Sequence, residues 1–78
     1  MTNTKQIKYT VDGDKVRALR ANQFMSIRDA AEKAGVSPFT WSQIELGHRK
    51  AQVGTVRKMA DALSVDPGEI ATWEEKES

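Results

Sequence analysis

Residues 26–46, SIRDAAEKAGVSPFTWSQIEL, constrain the fold of this chain more tightly than any other stretch. Ser26 and Ser37 each stand where a helix N-cap belongs, and apolar residues recur at helical spacing after both. The segment reads as one helix over Ile27–Ala34 and a second over about 38–46. Ala31 is small where two helices cross closely, and Gly35 sits where a tight turn needs φ > 0. Pro38 falls in the first turn of the second helix, where a missing N–H costs nothing. Val36, Trp41 and Ile44 face inward at these spacings. Pro38, Phe39, Thr40, Ser42 and Gln43 are left facing out.

The flanking sequence supplies further helices around this pair. A first helix is expected from about Asp14 to Asn22, with Val16, Leu19 and Gln23 on one side. Phe24 and Met25 lead from it into Ser26. Gly47 ends the helix before it as a C′ residue, and HRKAQVG (48–54) forms a basic connector. Thr55 is expected to cap a fourth helix reaching Leu63, with Val56, Met59, Ala60 and Leu63 on one apolar face. Asp66-Pro67 repeats the cap-plus-proline start signal. A fifth helix should come next, with Ile70 and Trp73 inward, fraying through EEKES. Residues 1–13 read as an arm or short strand, because IKYTV alternates loosely before Asp12-Gly13. The expected organisation is therefore an all-α domain over 14–73, an N-terminal arm, and an acidic tail over 74–78.

Composition narrows the function. A chain of 78 residues makes one domain with one modest core, burying roughly 60% of its unfolded surface. It has no cysteine and one histidine, so neither a disulfide nor a soft metal site is expected. Without a Gly-rich phosphate loop or carboxylates clustered at catalytic spacing, no catalytic residue, cofactor or small-molecule substrate is expected either. No apolar run approaches a signal peptide or a membrane span, so a soluble, cytoplasmic protein is the expectation.

The net charge of +1 conceals a lopsided distribution. Residues 1–60 hold eleven Lys/Arg against five Asp/Glu, and residues 61–78 hold one against six. A basic body suits a polyanion, and the acidic end suits solvent or a protein partner. Two short helices with a Gly turn form a helix-turn-helix, whose second helix can enter the major groove of double-stranded DNA. The exposed residues of that helix then become base readers. Gln43 can pair bidentately with adenine; Thr40 can hydrogen-bond a base or phosphate; Phe39 and Pro38 offer apolar contact to thymine methyls. Phe39 has an alternative place against the first helix or the arm as core. Phosphate contacts would come from His48, Arg49 and Lys50 after the helix, from Arg28 and Arg17, and from the hydroxyls of Ser37 and Ser42. DNA shape and water would supply part of the specificity.

The stretch from Val16 to Ile70 resembles the Cro/CI-type helix-turn-helix family of regulators, often called the XRE family. The resemblance rests on VRALRANQFMS, IRDAAEKAGVS, FTWSQIELGHRK and TVRKMADALSVDPGEI, within a span of about 55 of the 78 residues. It implies a five-helix, lambda-repressor-like domain. It also implies that Arg20 touches a DNA phosphate while pairing with Glu45, which orients it. The family often has glutamine where this chain has Ile27, so Ser26 or Arg28 would take over that phosphate contact. Members usually dimerise through the last helix on two-fold symmetric operators, which would place Ile70, Trp73 and Val65 in a homodimer interface. The resulting expectation is a DNA-binding transcriptional regulator, most simply a repressor. The rival reading is an antitoxin-like adaptor whose acidic end, ATWEEKES, docks a partner protein.

Overall fold

The computed structural model describes residues 5–77. The elements run β1 (Lys5–Val11), α1 (Gly13–Asn22), α2 (Ile27–Ala34), α3 (Pro38–Glu45), α4 (Val53–Leu63), a 3₁₀ turn (Pro67–Glu69) and β2 (Ala71–Glu77). Four helices pack around one core, and the two strands pair antiparallel as a ribbon.

Each helix begins and ends for local reasons. The Asp12 side chain accepts the Lys15 N–H at the start of α1, one residue before the start expected from sequence. At α2, Ser26 Oγ accepts the Asp29 N–H while the Asp29 carboxylate accepts the Ser26 N–H, a reciprocal capping box. At α3, Ser37 Oγ accepts the Thr40 N–H, and Pro38 opens the helix. Helix α4 starts at Val53 behind Gln52, so Thr55 lies inside the first turn and does not cap it. All four helices then close by a left-handed residue, and the N–H of the next residue reaches back over the last turn. The pairs are Met25 to Arg20, Val36 to Ala31, His48 to Gln43 and Val65 to Ala60. The left-handed residues are Phe24, Gly35, Gly47 and Ser64.

The core is small and aliphatic apart from one indole. Val16 of α1, Ala30 and Ala31 of α2, Trp41 and Ile44 of α3, and Val56, Met59 and Leu63 of α4 are buried. Each large side chain among them contributes on the order of 2 kcal/mol by leaving water. Ala31 is fully buried between helices, and α2 packs on both α3 and α4. Residue size therefore sets how closely these helices approach.

The C-terminal part overturns the five-helix expectation. After Asp66-Pro67 the chain makes only the 3₁₀ turn, and residues expected in a fifth helix and an acidic tail form β2 instead. The register sets Tyr9 opposite Trp73, Thr10 opposite Thr72 and Val11 opposite Ala71, with Lys8 opposite Glu74 and Lys5 opposite Glu77. The IKYTV alternation is thus a strand, and it supplies an edge that captures the C-terminal segment. Thr72 and Trp73 suit a pleated surface. Tertiary pairing outweighs the helix propensity of EEKE. Ile70 is fully buried as core, so it is not a surface residue for a dimer. Trp73, expected inward, is 61% exposed.

Candidate nucleic-acid interface

The α2–turn–α3 unit is held by short-range backbone geometry at Gly35 (φ +77°) and by a polar clamp beneath α3. Arg20 Nε and Nη2 donate to the two oxygens of Glu45 at 3.1 and 2.8 Å. Its Nη1 donates to the Met25 carbonyl at 2.9 Å. The Trp41 indole N–H donates to Glu45 Oε1 at 2.8 Å. Glu45 is only 7% exposed, yet its carboxylate has three donors. Burial pushes the Glu45 carboxyl up. The hydrogen bonds from Arg20 and Trp41, with the Arg20 charge, outweigh burial and hold it below the ordinary carboxylate value. Those same Glu45 hydrogen bonds raise the Arg20 guanidinium above its usual value, against the opposing effect of burial. This clamp joins α1, the α1–α2 loop and α3, and fixes how α3 presents its outer face.

That outer face carries few polar groups. Phe39 is 67% exposed and so is not core. Pro38 is exposed, while Thr40, Ser42 and Gln43 are half-buried. Ser37 Oγ donates its proton to Thr40 Oγ1 at 2.9 Å while accepting the Thr40 N–H. Its hydroxyl is therefore engaged as a cap. Thr40 keeps its own hydroxyl proton to offer outward. Trp41 and Ile44 point inward as the spacing requires.

The basic candidates separate by position. His48, Arg49 and Lys50 are exposed directly after α3, and Arg49 and Lys50 line one depression together with Thr40. Ser26 and Arg28 are exposed in the first turn of α2. There the Ser26 backbone N–H holds the Asp29 carboxyl below its ordinary value. Arg17 is exposed on α1 and paired with Asp14 at 3.0 Å. Val65 is half-buried against the core.

Three contributors escaped sequence reading. Gly13 lies where α1 meets the end of α3: a Cβ there would sit 1.9 Å from the Glu45 carbonyl oxygen. Asp12-Gly13 looks like an ordinary turn from sequence, and nothing local signals the close approach. The Met25 carbonyl and the Trp41 indole complete the clamp, and neither announces a polar role in a one-dimensional pattern.

Comparison with known proteins agrees with this geometry. Residues 13–73 match the model of a helix-turn-helix domain family. The chain belongs to this helix-turn-helix domain family, and its likeness to known regulators is of the XRE type. Among curated proteins it is similar to an uncharacterised HTH-type transcriptional regulator of Mycobacterium tuberculosis, 39% identical over 56 residues and 72% of this chain. A Mycobacterium bovis counterpart matches to the same degree. The chain spans only 22% of the length of these relatives. Among solved structures it resembles the restriction-modification controller protein C.AhdI of Aeromonas hydrophila, with TM-score 0.70 and 28% identity. That match covers 73% of this chain and 86% of the other. It also resembles the clp gene regulator ClgR of Corynebacterium glutamicum, with TM-score 0.66, 26% identity and coverage of 73% and 74%.

Proposed function

We propose that this chain is a sequence-specific regulator that places α3 in the major groove of double-stranded DNA and acts as a repressor by covering a promoter. The observation that carries this reading is the outer face of α3, with Phe39, Thr40 and Gln43 held in place by the Arg20–Glu45–Trp41 clamp and flanked by Arg49. Gln43 reads adenine, while Phe39 and Pro38 press on thymine methyls. Arg20, Arg28 and Arg49 meet phosphates. The clamp then serves to aim Arg20.

A homodimer on a two-fold operator completes the reading, with half-sites about 34 Å apart. With Ile70 in the core, its contact surface falls on the ribbon. Strand alternation puts Trp73 on the same face as Ile7 and Tyr9. The adaptor reading stands behind, because residues 71–77 are already paired with β1 rather than extended as a docking tail.

Selection from a random duplex library tests the proposal. Enrichment of a symmetric site with half-sites about one turn apart supports it. An asymmetric site supports the DNA reading but removes the two-fold dimer. No enrichment at low salt overturns it.

A further inference from the structure

The ribbon leaves one of its two edges open. Among the described residues β1 and β2 make a two-stranded sheet, with no third strand beside β2. The outer edge of β1 is held at its middle, because Tyr9 and Ala51 exchange both backbone hydrogen bonds, at 2.8 and 3.0 Å. That exchange also fixes which backbone groups of β2 point outward. Tyr9 turns its N–H and C=O toward Ala51, so Tyr9 and Trp73 are a non-hydrogen-bonded pair of the ladder. The N–H and C=O of Trp73 therefore point away from β1. The Asp12 N–H, three residues on, donates to the Ile70 carbonyl, as this alternation requires. Ala71, Trp73 and Glu75 thus line the outer edge of β2 with donors and acceptors that β1 does not use. An edge of this kind is a template for another strand. Trp73 on it is 61% exposed, and Ile7 on the same face is 47% exposed.

We propose that β2 pairs edge to edge with β2 of a second copy, antiparallel about a two-fold axis through Trp73. This rests on the homodimer reading above and gives it a register. Residues 71–75 of the two strands overlap, with Trp73 opposite its own copy, Thr72 opposite Glu74 and Ala71 opposite Glu75. Antiparallel pairing of identical strands is self-complementary, as a two-fold interface requires. The sequence selects the register, since like charges directly opposite are destabilising. Moving the axis to residue 74 or 75 sets Glu74 or Glu75 opposite its own copy. Moving it to Thr72 leaves only residues 71–73 paired. The axis through Trp73 gives the longest overlap that sets no acid opposite an acid. Tyr9, Trp73 and their copies then form one aromatic row across a four-stranded sheet, a pairing that stabilises neighbouring strands.

Sedimentation equilibrium of the full chain without DNA tests the pairing, with circular dichroism and melting as a check on folding. The wild-type chain is expected to dimerise. Glu75→Pro removes an N–H that β1 does not use, so the ribbon should persist while dimerisation weakens. The two-fold axis makes the loss count twice, and association about tenfold or more weaker is expected. The chain has no cysteine, so a Thr72→Cys/Glu74→Cys variant reads the register directly. Opposite residues of a non-hydrogen-bonded pair have Cα atoms about 4.5 Å apart, within disulfide reach. Oxidation should link two copies of this double variant and leave Thr72→Cys alone unlinked. Unchanged dimerisation in Glu75→Pro, or a dimeric double variant that does not cross-link, overturns the edge pairing and spares the homodimer reading. If Glu75→Pro fails to fold, cross-linking alone decides. A monomeric wild-type chain overturns both, and selective binding of an asymmetric duplex would still leave the DNA reading intact.

Discussion

Gly13 matters through the side chain it lacks. A methyl group there would run into the Glu45 carbonyl oxygen, a backbone atom that cannot swing aside. Gly13→Ala should therefore force α1 away from α3 and lower stability by about 2 kcal/mol, read as a reduced urea midpoint. An unchanged midpoint would show that the two helices separate freely. Glu45 makes a second residue-scale prediction. Its carboxyl titrates below its ordinary value of 4.5 in the folded chain. The stabilisation is thus fully present above about pH 4.5 and is lost as pH falls through the lower, folded value. Glu45→Gln should lower stability at pH 7 by about 3 kcal/mol, because it leaves the Arg20 guanidinium without its counter-charge. The gap between variant and wild type should narrow on acidification, as chemical denaturation at pH 7 and pH 3 would reveal. On the outer face of α3, Gln43→Ala should relax the preference at one base position at a cost of about 1–3 kcal/mol. Uniform weakening over all sequences would remove Gln43 as a reader.

At the scale of elements, four helix ends share one closure, but only two use glycine. Phe24 adopts φ +58° and is 94% exposed, so it bears left-handed strain with no burial in return. Replacing it with Asn, which tolerates that conformation, should raise stability by up to about 1 kcal/mol, measurable as a higher Tm. The helix pair was legible because its signals are local. Ser26 and Ser37 cap, Pro38 opens, and Gly35 and Gly47 close, and these set Ile27–Ala34 and Pro38–Glu45 nearly as read. Helix α4 was legible in its apolar face but not in its start, since Gln52 makes no side-chain cap and leaves no mark in the sequence. The fifth helix was misread for a different reason. The capping signal at Asp66-Pro67 was real enough to start a 3₁₀ turn. The conformation of residues 71–77 is decided by β1, which lies more than fifty residues earlier in the chain and offers a partner strand.

For the whole molecule, the ribbon ties the two ends of the described chain to the core. The Asp12 N–H donates to the Ile70 carbonyl at 2.7 Å, where the two strands leave the helices. A two-stranded ribbon is marginal by itself, so its stability comes from Val11, Ile70 and Ala71 packing on the helical body. Removing residues 71–78 should uncover that junction and lower Tm by about 10 °C. A truncated chain with unaltered melting would show that the helices stand alone. The lopsided charge acquires a different meaning here as well. Part of the acidic end lies in register with lysines of β1 rather than forming a free tail.

The sequence alone determined those features that depend on neighbours a few residues apart: the caps of α2 and α3, the left-handed glycines, helix periodicity and the exposure of Pro38 and Phe39 on α3. The Arg20–Glu45 pair was implied by resemblance and is present, but composition could not have located it. Tertiary structure alone decided the Gly13 approach, the indole bond to Glu45, the exposure of Trp73 and the conversion of the C-terminal segment into a strand. Each depends on groups brought together from distant parts of the chain. Propensity acts within a turn or two, whereas strand pairing and backbone contact act only once the fold has closed.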